Sequence, residues 1–150
     1  MTTMVETTTQ VYEVFIKATA EQIWDAITKP EFTRKYFYGS RHQIDLRPGG
    51  RYLSLAGDSD DVMVDGEVQE SDPPRRLVHT WQVHWDPDMS GEPASRVTWE
   101  IEPQDGGFAK LTVTHDQLEA SPKTAAGVAG GWSFVLSGLK TLLETGEPLA

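Results

Sequence analysis

The sequence contains no cysteine, no long hydrophobic run and few positive charges. Without cysteine, the chain can form no disulfide bond and no thiolate metal site, and it has no cysteine nucleophile. No apolar run approaches the ~20 residues that a membrane span needs. The 13 Lys and Arg residues face 23 Asp and Glu residues. The resulting net charge of −10 disfavours binding to nucleic acid or anionic membranes, because both are polyanions.

The length of 150 residues predicts one domain that spans residues 1–150. Residues 1–9 are Thr-rich with only isolated apolar side chains, and we expect them to be disordered. No basic segment followed by an apolar one opens the chain, so no secretory signal is visible and we expect a cytoplasmic protein. In contrast, the sequence is rich in tryptophan. It contains five tryptophans, which lie mostly in the second half of the chain.

The first part of the chain predicts a strand followed by two short helices. Residues 11–17 are β-branched and aromatic, which is typical of a strand. Thr19, with Gln22 three residues later, matches a capping box and predicts the start of a helix. Pro30 ends that helix and can open a second one at its first turn. An aromatic cluster at residues 36–38 closes this part of the chain.

The remainder predicts several strands and then one long helix. Within residues 44–115, apolar and polar residues alternate between turn signals such as residues 48–50. Gly66 interrupts one alternating run and predicts a bulge or a close backbone approach. After Pro122, apolar residues recur at helical spacing. A twisted antiparallel sheet with one apolar face needs a cover, and only this helix is long enough. The sequence therefore predicts an α+β fold, with a possible cavity between sheet and helix.

The tryptophans suggest where a ligand could bind. Trp81, Trp85 and Trp99 fall on strand faces that we assign inward, and Trp132 begins the helix that covers them. Such residues can line an aromatic pocket or simply fill the core. Their convergence favours the pocket, whereas Trp24, on the first helix, is expected only to pack.

Two histidines are candidate polar groups for that pocket. His79 and His115 lie on inward faces, where each suits a hydrogen bond to a ligand, acid–base chemistry or a purely structural role. His42 lies in a predicted loop and is expected at the surface. His84 and Asp86 share a strand face, but two ligands are too few for a closed metal site. We therefore predict no metal, no cofactor and no catalytic residue.

Other pocket candidates come from the same faces. Residues 125–131 are rich in Gly and Ala and suit either a hinge at the cavity mouth, opposite Phe37 and Tyr38, or close packing of helix on sheet. The complete set of predicted ligand-binding residues is Phe37, Tyr52, Val64, His79, Trp81, Trp85, Trp99, His115, Trp132 and Leu136.

An ordered set of motifs resembles a known family. The motifs are Ala18-x5-Trp24, Arg47-Pro48-Gly49-Gly50-Arg51-Tyr52, Gly66-Glu67-Val68-x-Glu70, Pro73-Pro74-Arg75-Arg76-Leu77-Val78-x-Thr80-Trp81, Ser95-Arg96-Val97-Thr98, and Gly131-Trp132 with Leu136 and Leu139. Over residues 10–146 the chain resembles the activator of Hsp90 ATPase homologues. These belong to the START-like (SRPBCC) superfamily, which has the helix-grip fold of the birch-pollen allergen.

The resemblance implies a fold and leaves the function open. It implies a curved antiparallel sheet of six or seven strands around a long C-terminal helix, with two short helices after the first strand. Three functions compete. The first is binding of a hydrophobic or aromatic small molecule in a cavity. The second is regulation of an Hsp90-type chaperone in a stress response. The third is a cyclase- or hydrolase-like enzyme that uses His79 or His115. A homodimer is compatible with the sequence.

Overall fold

The computed structural model describes residues 9–150, so the predicted disorder of residues 1–9 falls almost entirely outside the described part. The fold is α+β, with one open sheet of seven antiparallel strands and a long C-terminal helix, as predicted. The strands and helices are β1 (Gln10–Ile16), α1 (Ala20–Thr28), α2 (Pro30–Tyr36), β2 (Arg41–Ile44), β3 (Arg51–Leu55), β4 (Val62–Asp72), β5 (Arg76–Val83), α3 (Pro87–Ser90), β6 (Ser95–Gln104), β7 (Phe108–Asp116) and α4 (Pro122–Thr145).

The sheet runs in the order β1-β7-β6-β5-β4-β3-β2. Strands β2 to β7 follow one another as neighbours in the sheet, and the connection from β5 to β6 contains the short helix α3. Strand β1 then pairs along its full length with β7, from Gln10 opposite His115 to Ile16 opposite Ala109. Helix α4 covers the concave face, and the apolar stripe predicted from helical spacing is buried there: Trp132, Val135, Leu136, Leu139 and Leu142.

Local sequence signals set the helix ends. Thr19 and Gln22 form the predicted capping box, in which each side chain accepts a hydrogen bond from the other residue's backbone N–H. Pro30 is the first residue of α2, where a missing N–H costs nothing. Helix α4 ends at Gly146, which adopts the left-handed conformation (φ 82°) that glycine tolerates best.

The interruption at Gly66 is a close backbone approach. A Cβ atom at this position would overlap the carbonyl oxygen of Thr80 on the neighbouring strand β5. The irregularity of strand register lies slightly farther along β4, between Val68 and Glu70. Of the two predicted roles, Gly66 itself therefore has the close approach, and the bulge belongs to the residues after it.

Two local predictions were wrong. His42 was expected at the surface, but it lies on β2 and is only 1% exposed, because the Arg41–Ile44 segment pairs with β3 and turns alternate residues inward. Strand β5 ends at Val83, so Trp85 lies beyond the strand. The polar segment after it contains the short helix α3, which the Asp86 side chain caps.

No helix among residues 9–150 combines the length and the apolar character needed to cross a membrane.

Candidate functional site

A cavity of about 480 Å³ lies between the sheet and the N-terminal half of α4. The strands that contribute to it are β3, β4 and β5, and the segment after α2 completes the wall. Tyr38 and Trp85 are 65% and 44% exposed, so they mark the rim. The lining residues are Phe37, Tyr38, Ser40, Ser54, Ala56, Gly57, Met63, Val64, Trp81, Trp85, Gly127, Val128, Gly131, Trp132 and Val135.

The structure divides the ten predicted ligand-binding residues into two groups. Phe37, Val64, Trp81, Trp85 and Trp132 line the cavity. The other five lie in the buried core and are absent from the cavity wall: Tyr52, His79, Trp99, His115 and Leu136. Trp24 packs in the core, as expected.

Sequence reasoning missed most of the small residues in the wall. Gly127 and Gly131 line the cavity from α4, within the stretch that was predicted to be either a hinge or a close-packing segment. Met89 occupies the space beside Gly127, since a Cβ atom there would lie 2.6 Å from its methyl carbon. The sequence feature that pointed to these wall residues was the high Gly and Ala content of residues 125–131, because small residues leave room beside a helix.

Beneath the cavity, hydrogen bonds fix the proton of His79 on one nitrogen. The indole N–H of Trp99 donates to Nε2 of His79 (3.0 Å), so that nitrogen is an acceptor. Nδ1 of His79 lies 2.8 Å from the carbonyl oxygen of Thr80, to which it can only donate. His79 is therefore neutral, protonated on Nδ1, with both nitrogens occupied. Its ring stacks on that of Tyr52 at 3.7 Å.

His115 is fixed in the opposite tautomer. The indole N–H of Trp132 donates to Nδ1 of His115 (3.0 Å), which leaves the proton on Nε2. That Nε2–H donates to the hydroxyl of Ser95 (2.7 Å), which in turn lies within 3.4 Å of the Trp81 carbonyl. This histidine also has no free nitrogen.

Hydrogen bonds also fix the tautomer of the third buried histidine, His42. The Ser40 hydroxyl donates to the carbonyl oxygen of Phe37, so it accepts from Nε2 of His42 at 3.1 Å. The Tyr52 hydroxyl then donates to Nδ1 of His42 at 3.0 Å. A residue that sequence reasoning placed at the surface thus holds the segment after α2, including the cavity-lining Phe37, onto the sheet.

Burial keeps all three histidines neutral. Loss of hydration disfavours the charged imidazolium and lowers the pKa of His42 to about 3, with a further contribution from nearby His79. The same causes lower the pKa of His115 to about 3. Burial lowers the pKa of His79 to about 4. Acid–base catalysis near neutral pH needs a free ring nitrogen and a pKa near 7, and neither His79 nor His115 offers them.

The described residues that line the cavity carry no charge. None of them is Asp, Glu, Lys, Arg or His, and the acidic residues Asp58, Asp60 and Asp61 lie exposed outside the cavity. Ser54, only 3% exposed, contributes a hydroxyl, and Trp81, also 3% exposed, contributes an indole. The described residues contain no cluster of three or more side chains suited to holding a metal ion. The wall therefore suits an uncharged molecule that is largely apolar.

Comparison with known proteins finds solved structures with a similar fold. The chain resembles the solved structure of protein MLL2253 from Mesorhizobium loti, with 27% identity, coverage of 91% of this chain and 96% of that one, and a TM-score of 0.70. It resembles an Hsp90 activator of Plasmodium falciparum, PFC0360w, at 22% identity, with coverage of 91% and 96% and a TM-score of 0.74.

A third similar structure is DynU16, a protein in the dynemicin biosynthetic locus, at 23% identity and a TM-score of 0.75. The match covers 94% of this chain and 49% of DynU16. No curated protein matches the sequence. The model of the family described as activator of Hsp90 ATPase homolog 1-like protein matches residues 17–144, which is most of the chain. The protein therefore belongs to the activator of Hsp90 ATPase homolog 1-like family, as its motifs indicated.

Proposed function

We propose that this protein binds a small, uncharged hydrophobic or aromatic molecule in the cavity between the sheet and α4. The observation that carries the proposal is the cavity of about 480 Å³, which has the size of a small-molecule site and a wall that is mainly aromatic and aliphatic. Three tryptophans contribute to that wall, Trp81, Trp85 and Trp132. A core built only for stability would fill such a volume, because each void in a core costs free energy.

Apolar burial in this cavity supports only modest affinity. Removing about 300 Å² of ligand surface from water contributes roughly 7 kcal/mol at ~25 cal/mol/Å². Lost translational and rotational freedom costs at least ~4 kcal/mol. Tighter binding requires polar contacts in addition.

The test uses a variant that narrows the cavity without straining the backbone. Gly131 lines the cavity, and a Cβ atom there would meet only the hydroxyl of Tyr38 at 3.3 Å, at the tip of an exposed side chain. Gly131→Phe therefore projects a ring into the cavity. The matched control is Gly130→Phe on the same helix, because Gly130 is exposed and a Cβ atom there would meet nothing within 4 Å.

The measurement is a titration with N-phenyl-1-naphthylamine, a neutral aromatic probe whose fluorescence rises in apolar surroundings. We expect the probe to bind to the unmodified protein and to Gly130→Phe. For Gly131→Phe we expect a loss of affinity of at least about 10-fold, because the new aromatic ring takes the place of probe atoms whose contacts with the wall are worth over ~1.4 kcal/mol. Absence of binding to the unmodified protein, or equal binding to both variants, would exclude the cavity as the site.

Regulation of an Hsp90-type chaperone is the second candidate function, and family membership favours it. The exposed acidic turn at residues 58–61 offers charge complementarity to a basic patch on a partner. The test is the ATPase rate of the chaperone from the same organism with and without this protein. A stimulated rate supports this function, and an unchanged rate with no complex on a sizing column removes it.

A further inference from the structure

The indole nitrogen of Trp81 stands apart from the other polar atoms of the aromatic core. Trp81 lies on β5, is 3% exposed and packs among the rings of Phe37, His115 and Trp132, with centroid separations of 5.5–6.4 Å. It also lines the cavity. Its Nε1 is buried and has no hydrogen-bond partner among the described residues. Buried N–H groups without an acceptor are rare in folded proteins, so this one calls for an explanation.

Two other tryptophans of the aromatic core, Trp99 and Trp132, have hydrogen-bond acceptors. Trp99 donates to His79 and Trp132 donates to His115, each at 3.0 Å. The histidines that accept these bonds have both nitrogens in use, so neither can also accept from Trp81. Among the described residues, the fold thus supplies an acceptor for the indole of Trp132, which also lines the cavity, and for that of Trp99 in the core, but none for the indole of Trp81.

We propose that the cavity recognises an uncharged aromatic ligand that carries a carbonyl or similar acceptor oxygen, and that this oxygen accepts a hydrogen bond from Trp81 Nε1. This inference rests on the proposed ligand-binding function and specifies its chemistry. The indole N–H can only donate, so the ligand atom must be an acceptor. Because none of the described residues of the wall is cationic, a carboxylate would lose its hydration without a counter-charge.

The burial of the nitrogen sets a condition on binding. Nε1 is buried, so an acceptor reaches it only when wall side chains move slightly. Small side-chain rearrangements are common on binding. A ligand that fills the cavity can place its oxygen against Trp81 after such a movement.

A pair of probes of the same shape tests the inference. Fluorene and 9-fluorenone differ at one position, where fluorene has a methylene group and 9-fluorenone a carbonyl. Hydrophobic burial alone favours fluorene, which is the less polar of the two. We expect 9-fluorenone to displace N-phenyl-1-naphthylamine from the unmodified protein with about 3- to 10-fold higher affinity than fluorene, the range of one net hydrogen bond. We expect 9-fluorenone-4-carboxylate to bind at least about 10-fold more weakly than 9-fluorenone.

Trp81→Phe keeps an aromatic ring but removes the donor. In this variant the preference for 9-fluorenone over fluorene should disappear, while fluorene still binds. The matched control is Trp24→Phe, which removes an indole N–H from a buried tryptophan outside the cavity wall and should keep the preference. In the unmodified protein, the indole N–H resonance that Trp81→Phe removes should shift downfield with 9-fluorenone and stay in place with fluorene.

The outcomes separate the two proposals. If N-phenyl-1-naphthylamine binds but both fluorene probes compete equally, the cavity binds ligands and the Trp81 inference is wrong. An equal loss of affinity for both probes in Trp81→Phe also overturns it, because Trp81 would then contribute only apolar contact. Tight binding of the carboxylate overturns the assignment to uncharged ligands. If Trp81→Phe does not fold, the comparison of fluorene with 9-fluorenone in the unmodified protein still decides the question.

Discussion

Trp99 and Trp132 each donate an indole N–H to a histidine nitrogen that protonation would remove as an acceptor. The charged form of His79 or His115 is therefore opposed both by burial and by the loss of that bond. With His42 held between two hydroxyl groups, the protein contains three fully buried imidazoles that are neutral in the folded state. At the scale of single residues, this makes the core sensitive to acid.

We expect the free energy of unfolding to be greatest above about pH 7 and to fall steeply as the pH drops from about 6.5 towards 4. The unfolded chain protonates its histidines near pH 6.5, whereas the folded pKa values are about 3 for His42, 4 for His79 and 3 for His115. In this window the unfolded state binds more protons, and each histidine removes about 1.4 kcal/mol per pH unit. Urea unfolding at pH 7.5, 6.0 and 5.0 measures the slope.

A stability that is flat between pH 7.5 and 5.0 would contradict the assignment of three neutral buried histidines.

Among the elements, α4 depends on a residue from outside the helix. Ser121 precedes α4 and makes no side-chain cap hydrogen bond to it. Instead, the carboxylate of Glu92 accepts hydrogen bonds from the backbone N–H groups of Lys123 and Thr124, at 3.0 and 2.7 Å, and from the Thr124 hydroxyl at 2.8 Å. The segment after α3 thus fixes the end of α4 that borders the cavity.

We expect Glu92→Ala to destabilise the protein by about 1–2 kcal/mol, as loss of a helix cap does. The comparison variant is Glu119→Ala, which removes the same charge near the same helix end from an exposed side chain. It should change stability by less than about 0.5 kcal/mol. Urea unfolding at pH 7.5 measures the free energy of unfolding of both variants. Equal losses would show that the negative charge near the helix end, and not the capping hydrogen bonds, stabilises the protein.

At the scale of the whole molecule, the space between the sheet and α4 has two halves. Packed side chains fill one half, and the other half is the open cavity. The C-terminal half of α4 contributes Leu139 and Leu142 to a packed core with residues such as Leu111 and Ile101. The N-terminal half faces β3, β4 and β5 across the cavity, with glycines where larger side chains would fill the space. The stability of the open half should therefore depend on what occupies it.

Ligand binding should accordingly raise the thermal unfolding temperature. A neutral aromatic probe at about 100 times its dissociation constant adds about 2.7 kcal/mol to the folded state, provided that it does not bind the unfolded chain. For a protein of this size we expect an increase in Tm of about 5–10 °C. Differential scanning fluorimetry with an extrinsic dye for unfolded protein, or calorimetry, measures this shift. The Gly131→Phe variant should show little or none of it, and an equal shift in both proteins would locate binding elsewhere.

The sequence by itself determined the fold class, several element ends and the inward faces of the strands. These features depend on local physics: Thr19 and Gln22 are three residues apart, Pro30 cannot continue a helix, and side chains alternate along a strand. At Gly66 the sequence predicted either a bulge or a close backbone approach, and the neighbouring strand β5 decided between them. His42 was assigned to a loop, because the short strand β2 carries little pattern of its own and gains its register only from pairing with β3.

Only the tertiary structure decided which inward residues line the cavity and which fill the core. Trp81 and Trp99 were equivalent in the sequence, since each lies on the inner face of a strand. Sheet curvature and the position of α4 place Trp81 in the wall and Trp99 beneath it. Hydrogen-bond partners such as Trp132 and His115 are far apart along the chain. Alternation gives the face of a side chain but not its distance from the covering helix, and that distance separates a binding surface from a packed core.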